Sequence, residues 1–198
     1  MKTLFVLSHP TFNESFANQI IWHGLHELMP AAEFVHLDAA YPHLPIDVAK
    51  EQARLAAADV IVMQFLMFWY SVPGLMKRWI DDVFVHGFAH GSQGNKLHGK
   101  KLILSFTTGG AAELYERDNY MEHTMEEFLY PLRRWAKQCG MEWQPYVHTD
   151  SLPYIATDEM RGGDGGTCES PCGKARRANR RPVMRLPENL IPFYKETL

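Results

Sequence analysis

Three consecutive aromatic residues, Phe68, Trp69 and Tyr70, lie in a short segment between two predicted regular elements. An apolar run over residues 60–65 predicts a buried parallel strand before them, and a Pro-Gly pair after them predicts the start of a helix. In open parallel α/β sheets, ligands bind outside the carboxyl ends of the strands. Three rings beside backbone amides suit a flat, partly polar aromatic ligand, and a flavin is the obvious candidate.

Two more segments with suitable chemistry follow predicted strands. Residues 9–18 include His9, Ser15 and Asn18 and lead into a helix, whose free N–H groups and dipole attract a phosphate. Residues 107–110 are Thr-Thr-Gly-Gly, a backbone that a planar ligand can approach closely. Taken singly, the first segment could simply cap its helix and the second could be a plain turn. Three strand ends on one edge together favour a bound flavin nucleotide.

Alternating strands and helices must position these segments. Apolar runs predict five strands, at residues 2–8, 33–36, 60–65, 101–106 and 142–148. Helical spacing of apolar residues predicts helices at residues 15–29, 47–57, 74–84 and 121–139. This alternation is typical of βαβ units in a parallel sheet that is covered on both faces. The predicted fold class is α/β, a flavodoxin-like doubly wound five-stranded parallel sheet.

One folded domain is predicted for residues 1–160, followed by a tail of different character. Residues 161–198 include a glycine-rich stretch and an arginine-rich stretch, which predict poor order, and helical spacing returns only near residues 188–198. The tail also contains Cys168 and Cys172, a single pair without the second pair of a zinc ribbon. No metal site is therefore predicted.

Composition and motifs narrow the classes of function. The chain has 198 residues, 46% of them hydrophobic, which is enough for one sizeable core. A net charge of −3 and a pI near 6.4 provide no basic field for nucleic acid. No apolar run approaches the roughly 18 residues of a membrane span, no signal peptide is recognisable, and three cysteines fit a reducing compartment, so a cytoplasmic location is expected. Neither a G-x-G-x-x-G nor a P-loop motif is present.

An ordered set of motifs over residues 1–158 resembles the flavodoxin-like NAD(P)H:quinone oxidoreductases. In chain order the motifs are His9-Pro10, residues 64–73 (QFLMFWYSVP), Trp79-Ile80-Asp81, Gly87-Phe88-Ala89, Leu97-His98-Gly99-Lys100 and Thr107-Thr108-Gly109-Gly110. Within that family the chain is most similar to small bacterial members, including ancillary subunits of glutathione-regulated potassium-efflux systems. Such short members carry FMN, whereas the longer animal members carry FAD, so the resemblance implies FMN with FAD as the alternative.

The resemblance implies a role for each of these motifs. It assigns the flavin phosphate and ribityl chain to His9, Ser15, Phe16, Ala17 and Asn18. It assigns the isoalloxazine to Met67, Phe68, Trp69, Tyr70, Thr107, Thr108, Gly109 and Gly110. It places Phe88 on the substrate side and gives Tyr115 the handling of protons at the flavin edge. His123 lies one position from the family's histidine, where Glu122 stands, and is either a proton donor or an ordinary surface histidine.

The activity implied by the resemblance is two-electron, ping-pong hydride transfer from NAD(P)H to a quinone. The resemblance further implies a homodimer with active sites at the subunit interface. A regulatory ancillary subunit of a potassium-efflux transporter, peripheral at the inner face of the membrane, is the alternative. A one-electron flavodoxin carrier ranks third, because the first loop lacks the Thr/Ser/Gly-rich phosphate cradle of such carriers.

Overall fold

A computed structural model describes residues 1–151 together with Ile191, Pro192 and Tyr194. Within this part of the chain the strands are β1 (Thr3–Ser8), β2 (Glu33–His36), β3 (Val60–Leu66), β4 (Lys101–Thr107), β5 (Glu142–Trp143) and β6 (Val147–Thr149). The α-helices are α1 (Phe16–Leu28), α2 (Leu37–Ala40), α3 (Val48–Ala57), α4 (Gly74–Val83) and α5 (Met125–Gln138). Most of the tail for which poor order is predicted, including the cysteine pair at 168 and 172, falls outside the described residues. Its described residues, Ile191, Pro192 and Tyr194, are helical and lie where helical spacing returns in the sequence.

The strands form one parallel sheet in the order β2-β1-β3-β4, and both β5 and β6 pair with β4. This confirms the predicted α/β class and the flavodoxin-like strand order. The single strand predicted over residues 142–148 is wrong in one respect, since it is divided into two short strands. Pro145 stands between them, and its nitrogen has no hydrogen to donate to β4.

Helices cover both faces of this sheet, because successive strand residues point to opposite sides. Leu4 and Val6 pack in one apolar cluster with residues of α3, α4 and α5, whereas Phe5 and Leu7 pack in a second cluster with residues of α1. Tyr194, a helical residue, belongs to the second cluster and is fully buried. Its hydroxyl donates to Ser105 Oγ on β4 at 2.7 Å, so this residue adds to the cover on the α1 face.

The start of α5 differs from the prediction by four residues, and one short helix is additional. Helix α5 begins after a capping box, in which Thr124 Oγ1 accepts from the Glu127 N–H and the Glu127 carboxylate accepts from the Thr124 N–H. Met121 therefore lies before the helix, not inside it. The short helix α2 was not predicted. No described helix is both long and apolar enough to cross a bilayer.

Candidate flavin site

The strand register brings the ends of four strands into one row. Ser8 at the end of β1 pairs with Phe65, Leu66 at the end of β3 pairs with Thr107, and Thr107 pairs with Thr149 at the end of β6. The loops that follow β1, β3 and β4 consequently leave the sheet at a common edge. This is the edge at which the sequence places a ligand.

Buried Asn18 joins the first of these loops to the end of β4. Its Nδ2 donates to Ser15 Oγ and to Thr107 Oγ1, each at 3.0 Å. Gln64 of β3 donates its Nε2 to the Asn18 carbonyl oxygen at 3.2 Å. The predicted phosphate segment and the predicted isoalloxazine segment are thus adjacent and fixed to each other.

The loop after β3 meets the other two loops. The Met67 N–H donates to the Thr107 carbonyl at 3.0 Å, and the ring of Phe68 lies edge-on to the His9 ring with centroids 6.3 Å apart. The structure therefore brings all three predicted segments together.

Trp69 and Tyr70 form a tight turn with an unfavourable backbone. Phe68 and Ser71 exchange backbone hydrogen bonds of 2.9 and 3.0 Å around them, and both turn residues have positive φ, 43° and 65°. Bulky residues rarely adopt this conformation, which costs on the order of 1–3 kcal/mol each and is concentrated in ligand-binding loops. The Trp69 side chain is nevertheless 90% exposed.

The start of α1 offers backbone donors without a side-chain cap. Ser15 occupies the N-cap position but makes no side-chain cap bond, so the alternative in which it simply caps the helix does not hold. Within the described residues, the backbone N–H groups of Phe16, Ala17 and Asn18 have no acceptor. These amides and the positive end of the helix dipole suit a phosphate.

His9 adds buried polar atoms to the same end of the site. Its backbone N–H donates to Asp38 Oδ2 at 2.8 Å, while both ring nitrogens are buried with no partner in the described part of the chain. Burial lowers the pKa of His9, so the neutral imidazole is favoured. Ser8 Oγ at the end of β1 and Thr149 Oγ1 at the end of β6 are also buried without a partner among the residues that the structure describes.

The Thr-Thr-Gly-Gly loop provides the remaining donors. Thr107 and Thr108 are buried, Gly109 is exposed, and the N–H groups of Gly109 and Gly110 donate to no acceptor among the described residues. Free donors at both ends of the edge, with aromatic rings between them, match a ligand that carries a phosphate and a polar ring system. The residues present therefore fit a flavin mononucleotide.

Phe128 on α5 contacts three residues that the family resemblance places at the flavin. Tyr70 stacks on it at 5.0 Å, Tyr115 meets it edge-on at 5.9 Å, and the exposed His123 lies at 5.9 Å. The sequence predicted Phe128 only as a residue of the helix over residues 121–139. By contrast, no hydrogen bond or ring contact within the described residues joins Phe88 to the three loops.

His148 near the end of β6 is a site residue that the sequence analysis missed. Its Nε2 lies 2.8 Å from Thr108 Oγ1, and its ring stacks on Phe106 with centroids 5.0 Å apart. A signal was present, because His148 closes the predicted fifth strand, and the rule that selected the other three loops applies to this strand end also.

Comparison with known proteins identifies the family. A family model described as a flavodoxin-like fold matches residues 1–162. The chain belongs to this family. The family resemblance found in the sequence is thereby confirmed.

The names of similar proteins support the conclusion that this protein is an oxidoreductase. YrkL of Bacillus subtilis (strain 168), an uncharacterized NAD(P)H oxidoreductase, is 39% identical over 162 residues, 81% of this chain and 92% of the relative. The crystal structure of general stress protein 14 from Treponema denticola in complex with FMN matches with a TM-score of 0.74 and 32% identity, over 76% of this chain and 86% of that one. An NADPH-quinone reductase from P. pentosaceus matches with a TM-score of 0.70 and 26% identity, over 81% and 93% of the two chains.

Proposed function

We propose that this protein is an FMN-dependent NAD(P)H:quinone oxidoreductase that works by two-electron, ping-pong hydride transfer. The net reaction converts NAD(P)H, a proton and a quinone into NAD(P)⁺ and a hydroquinone. The observation that carries the proposal is the junction of three loops at one sheet edge, held by the Asn18–Thr107 and Met67–Thr107 hydrogen bonds. A relative with FMN bound and a relative named as a quinone reductase support it.

In this proposal the start of α1 holds the phosphate of FMN. The backbone N–H groups of Phe16, Ala17 and Asn18 donate to the phosphate oxygens, and Ser15 and His9 add side-chain groups. When bound, FMN supplies the hydride chemistry of both half-reactions.

The other two loops hold and polarise the ring system. Met67, Phe68, Trp69 and Tyr70 provide the apolar walls and backbone edge, and Thr107 and Thr108 support the glycine loop. The N–H groups of Gly109 and Gly110, which have no acceptor among the described residues, would stabilise negative charge on the ring system of a bound flavin.

Tyr115 is the proposed proton-handling group. An added Cβ on Gly110 would lie 3.6 Å from the Tyr115 hydroxyl oxygen, so this hydroxyl reaches the glycine loop. His123 is a second proton donor in the proposal, and Phe88 faces the substrate. The nearly full exposure of Trp69 favours cover by a second subunit, as in the proposed homodimer. A potassium-efflux transporter as partner stays a prediction.

The direct test titrates the full chain with FMN and then measures NADH and NADPH oxidation with menadione as the quinone probe. We expect a flavin absorbance band that co-elutes with the protein. We also expect quinone-dependent turnover, with parallel double-reciprocal lines for a ping-pong mechanism. Absence of flavin binding, or of turnover by the loaded protein, would refute the proposal.

Ala17→Asp tests the phosphate assignment without weakening the helix. A carboxylate in the first turn of α1 interacts favourably with the positive end of the helix dipole, but it repels a phosphate bound at the same place. We expect FMN affinity to fall about tenfold or more, whereas affinity for riboflavin, which lacks the phosphate, stays within about twofold. Ala31→Asp, an exposed change beyond the opposite end of the sheet, is the matched control. Equal losses for both flavins would contradict the assignment.

A further inference from the structure

His148 occupies a defined niche beside the glycine loop, and no role proposed above includes it. Its ring is stacked on Phe106 with an interplanar angle of 23°, and it meets the Tyr115 ring edge-on at 5.7 Å and 85°. Contacts on two sides fix the ring plane, so Nε2 points to one partner, the Thr108 hydroxyl at 2.8 Å.

The hydrogen bonds of Thr108 determine which nitrogen of His148 carries a proton. Thr108 Oγ1 lies 2.8 Å from the Gly110 carbonyl oxygen, which can only accept. The single hydroxyl proton therefore goes to Gly110, and the His148 nitrogen must donate. The resulting relay runs from His148 Nε2–H to Thr108 Oγ1–H to the Gly110 carbonyl. Burial lowers the pKa of His148, which favours the neutral ring with one proton.

The same segment holds the glycine loop through its backbone. The Thr108 N–H donates to the Thr149 carbonyl at 3.0 Å, and the Ser151 N–H donates to the Gly110 carbonyl at 3.3 Å. Residues 148–151 thus provide three hydrogen bonds to residues 108–110. Only the bond from His148 is made by a side chain, so it is the one that a substitution can remove.

We propose that His148 is a positioning residue for the flavin. Acting through Thr108, it fixes the carbonyl of Gly110 and thereby directs the Gly109 and Gly110 N–H groups toward the cofactor. This inference rests on the proposed function, in which those N–H groups stabilise the reduced ring. It predicts that loss of the His148 donor weakens binding of reduced FMN more than binding of oxidised FMN.

Three variants of the full chain test the role. His148→Phe keeps a flat ring but removes the donor, His148→Gln retains an N–H donor, and His23→Gln changes an exposed histidine of α1. We expect His148→Phe to bind oxidised FMN a few-fold more weakly and reduced FMN about tenfold more weakly still. That tenfold difference equals a midpoint potential lower by about 30 mV for a two-electron couple. His148→Gln should restore most of the affinity and potential, and His23→Gln should match the wild type.

The outcomes separate this inference from the proposed function. If the wild type binds FMN and His148→Phe keeps its affinity and potential, the positioning role is refuted and the proposed function stands. If the wild type binds no FMN, the proposed function fails and this inference falls with it. Should His148→Phe fail to fold, ¹⁵N NMR of histidine-labelled wild type decides, since a proton on Nδ1 instead of Nε2 would overturn the relay.

Discussion

A single buried amide connects the two ends of the candidate site. Asn18 is fully buried, and its side chain contacts Ser15 and Thr107 while its backbone carbonyl accepts from Gln64. Because Thr107 also accepts the N–H of Met67 through its carbonyl, all three loops depend on this junction. Side-chain networks of this kind tend to be lost as a unit when one member is removed.

Asn18→Ala is expected to destabilise the protein and weaken FMN binding together. The change removes the donor to buried Thr107 Oγ1, and a buried polar group without its partner costs about 1–3 kcal/mol. Urea denaturation gives the free energy of unfolding, and a fluorescence titration gives FMN affinity. Asn13→Ala, at an exposed position of the same loop, is the control. Unchanged stability in Asn18→Ala would show that the junction is not held by this side chain.

The chemistry-bearing residues were only partly predictable from sequence. The rule that ligands lie at carboxyl ends of strands located the loops with Ser15, Trp69 and Gly109, because each follows an obvious apolar run. It could not show that Gln64, inside such a run, points toward Asn18, since that depends on the sheet register. His148 was overlooked because the rule was applied to the other three strand ends and not to the end of the predicted fifth strand, which His148 closes.

Among the elements, α3 is anchored by a fully buried carboxylate, Glu51. Glu51 accepts hydrogen bonds from the Tyr41 hydroxyl at 2.7 Å, from Arg54 Nη1 at 2.5 Å and from Trp79 Nε1 at 3.1 Å. Burial, together with Glu51, raises the pKa of Tyr41 to about 12, so the tyrosine stays protonated and donates. Since Trp79 lies on α4, the carboxylate ties two helices of the same sheet face together.

Glu51→Ala should lower the free energy of unfolding by about 3–5 kcal/mol. It leaves the buried Trp79 N–H and the partly buried Tyr41 hydroxyl without their acceptor, and it removes one of the two carboxylates that pair with Arg54. Glu51→Gln should cost less, since the amide oxygen still accepts. The control is Glu33→Ala, which removes the 49% exposed second partner of Arg54 and should cost about 1 kcal/mol or less. Urea denaturation of the three variants measures the difference. Equal losses in Glu51→Ala and Glu33→Ala would contradict the anchoring role.

The predicted boundaries of two elements were wrong because a helix cap or a proline, and not the hydrophobic spacing, determines where the element begins or ends. Met121 fits the apolar spacing of α5, but the capping box formed by Thr124 and Glu127 starts the helix later. Pro145 likewise divides a strand whose apolar pattern is continuous. Both signals are present in the sequence, so these boundaries could have been predicted by weighting caps and prolines above hydrophobic spacing.

At the scale of the whole molecule, the apolar residues that stabilise the fold and the polar residues of the candidate site lie in different parts of the sheet. Its two faces are covered by apolar clusters that include α1 on one side and α3, α4 and α5 on the other. Most of the polar groups discussed above, including His9, Asn18, Thr108 and His148, lie at the carboxyl edge instead. Polar residues at that edge are partly desolvated without full pairing, as a site built to receive a ligand requires.

This arrangement makes stability depend on pH through three histidines near that edge. Burial lowers the pKa of His9, His36 and His148, while Asp38 partly offsets the effect on the first two and Asp150 on the third. In the unfolded chain each histidine returns to a pKa near 6.5. Below that pH the unfolded state binds more protons than the folded state, so the free energy of unfolding falls as pH falls.

The expected outcome is a protein less stable at pH 5.5 than at pH 7.5, a window in which carboxylates remain ionised in the unfolded chain. Each histidine contributes at most about 1.4 kcal/mol per pH unit. Urea denaturation at both pH values measures the change, and His36→Gln should reduce it because glutamine does not titrate. His43→Gln, at an exposed position, should leave the change as it is in the wild type. Equal stability at both pH values would mean that these imidazoles are as readily protonated in the folded protein as in water.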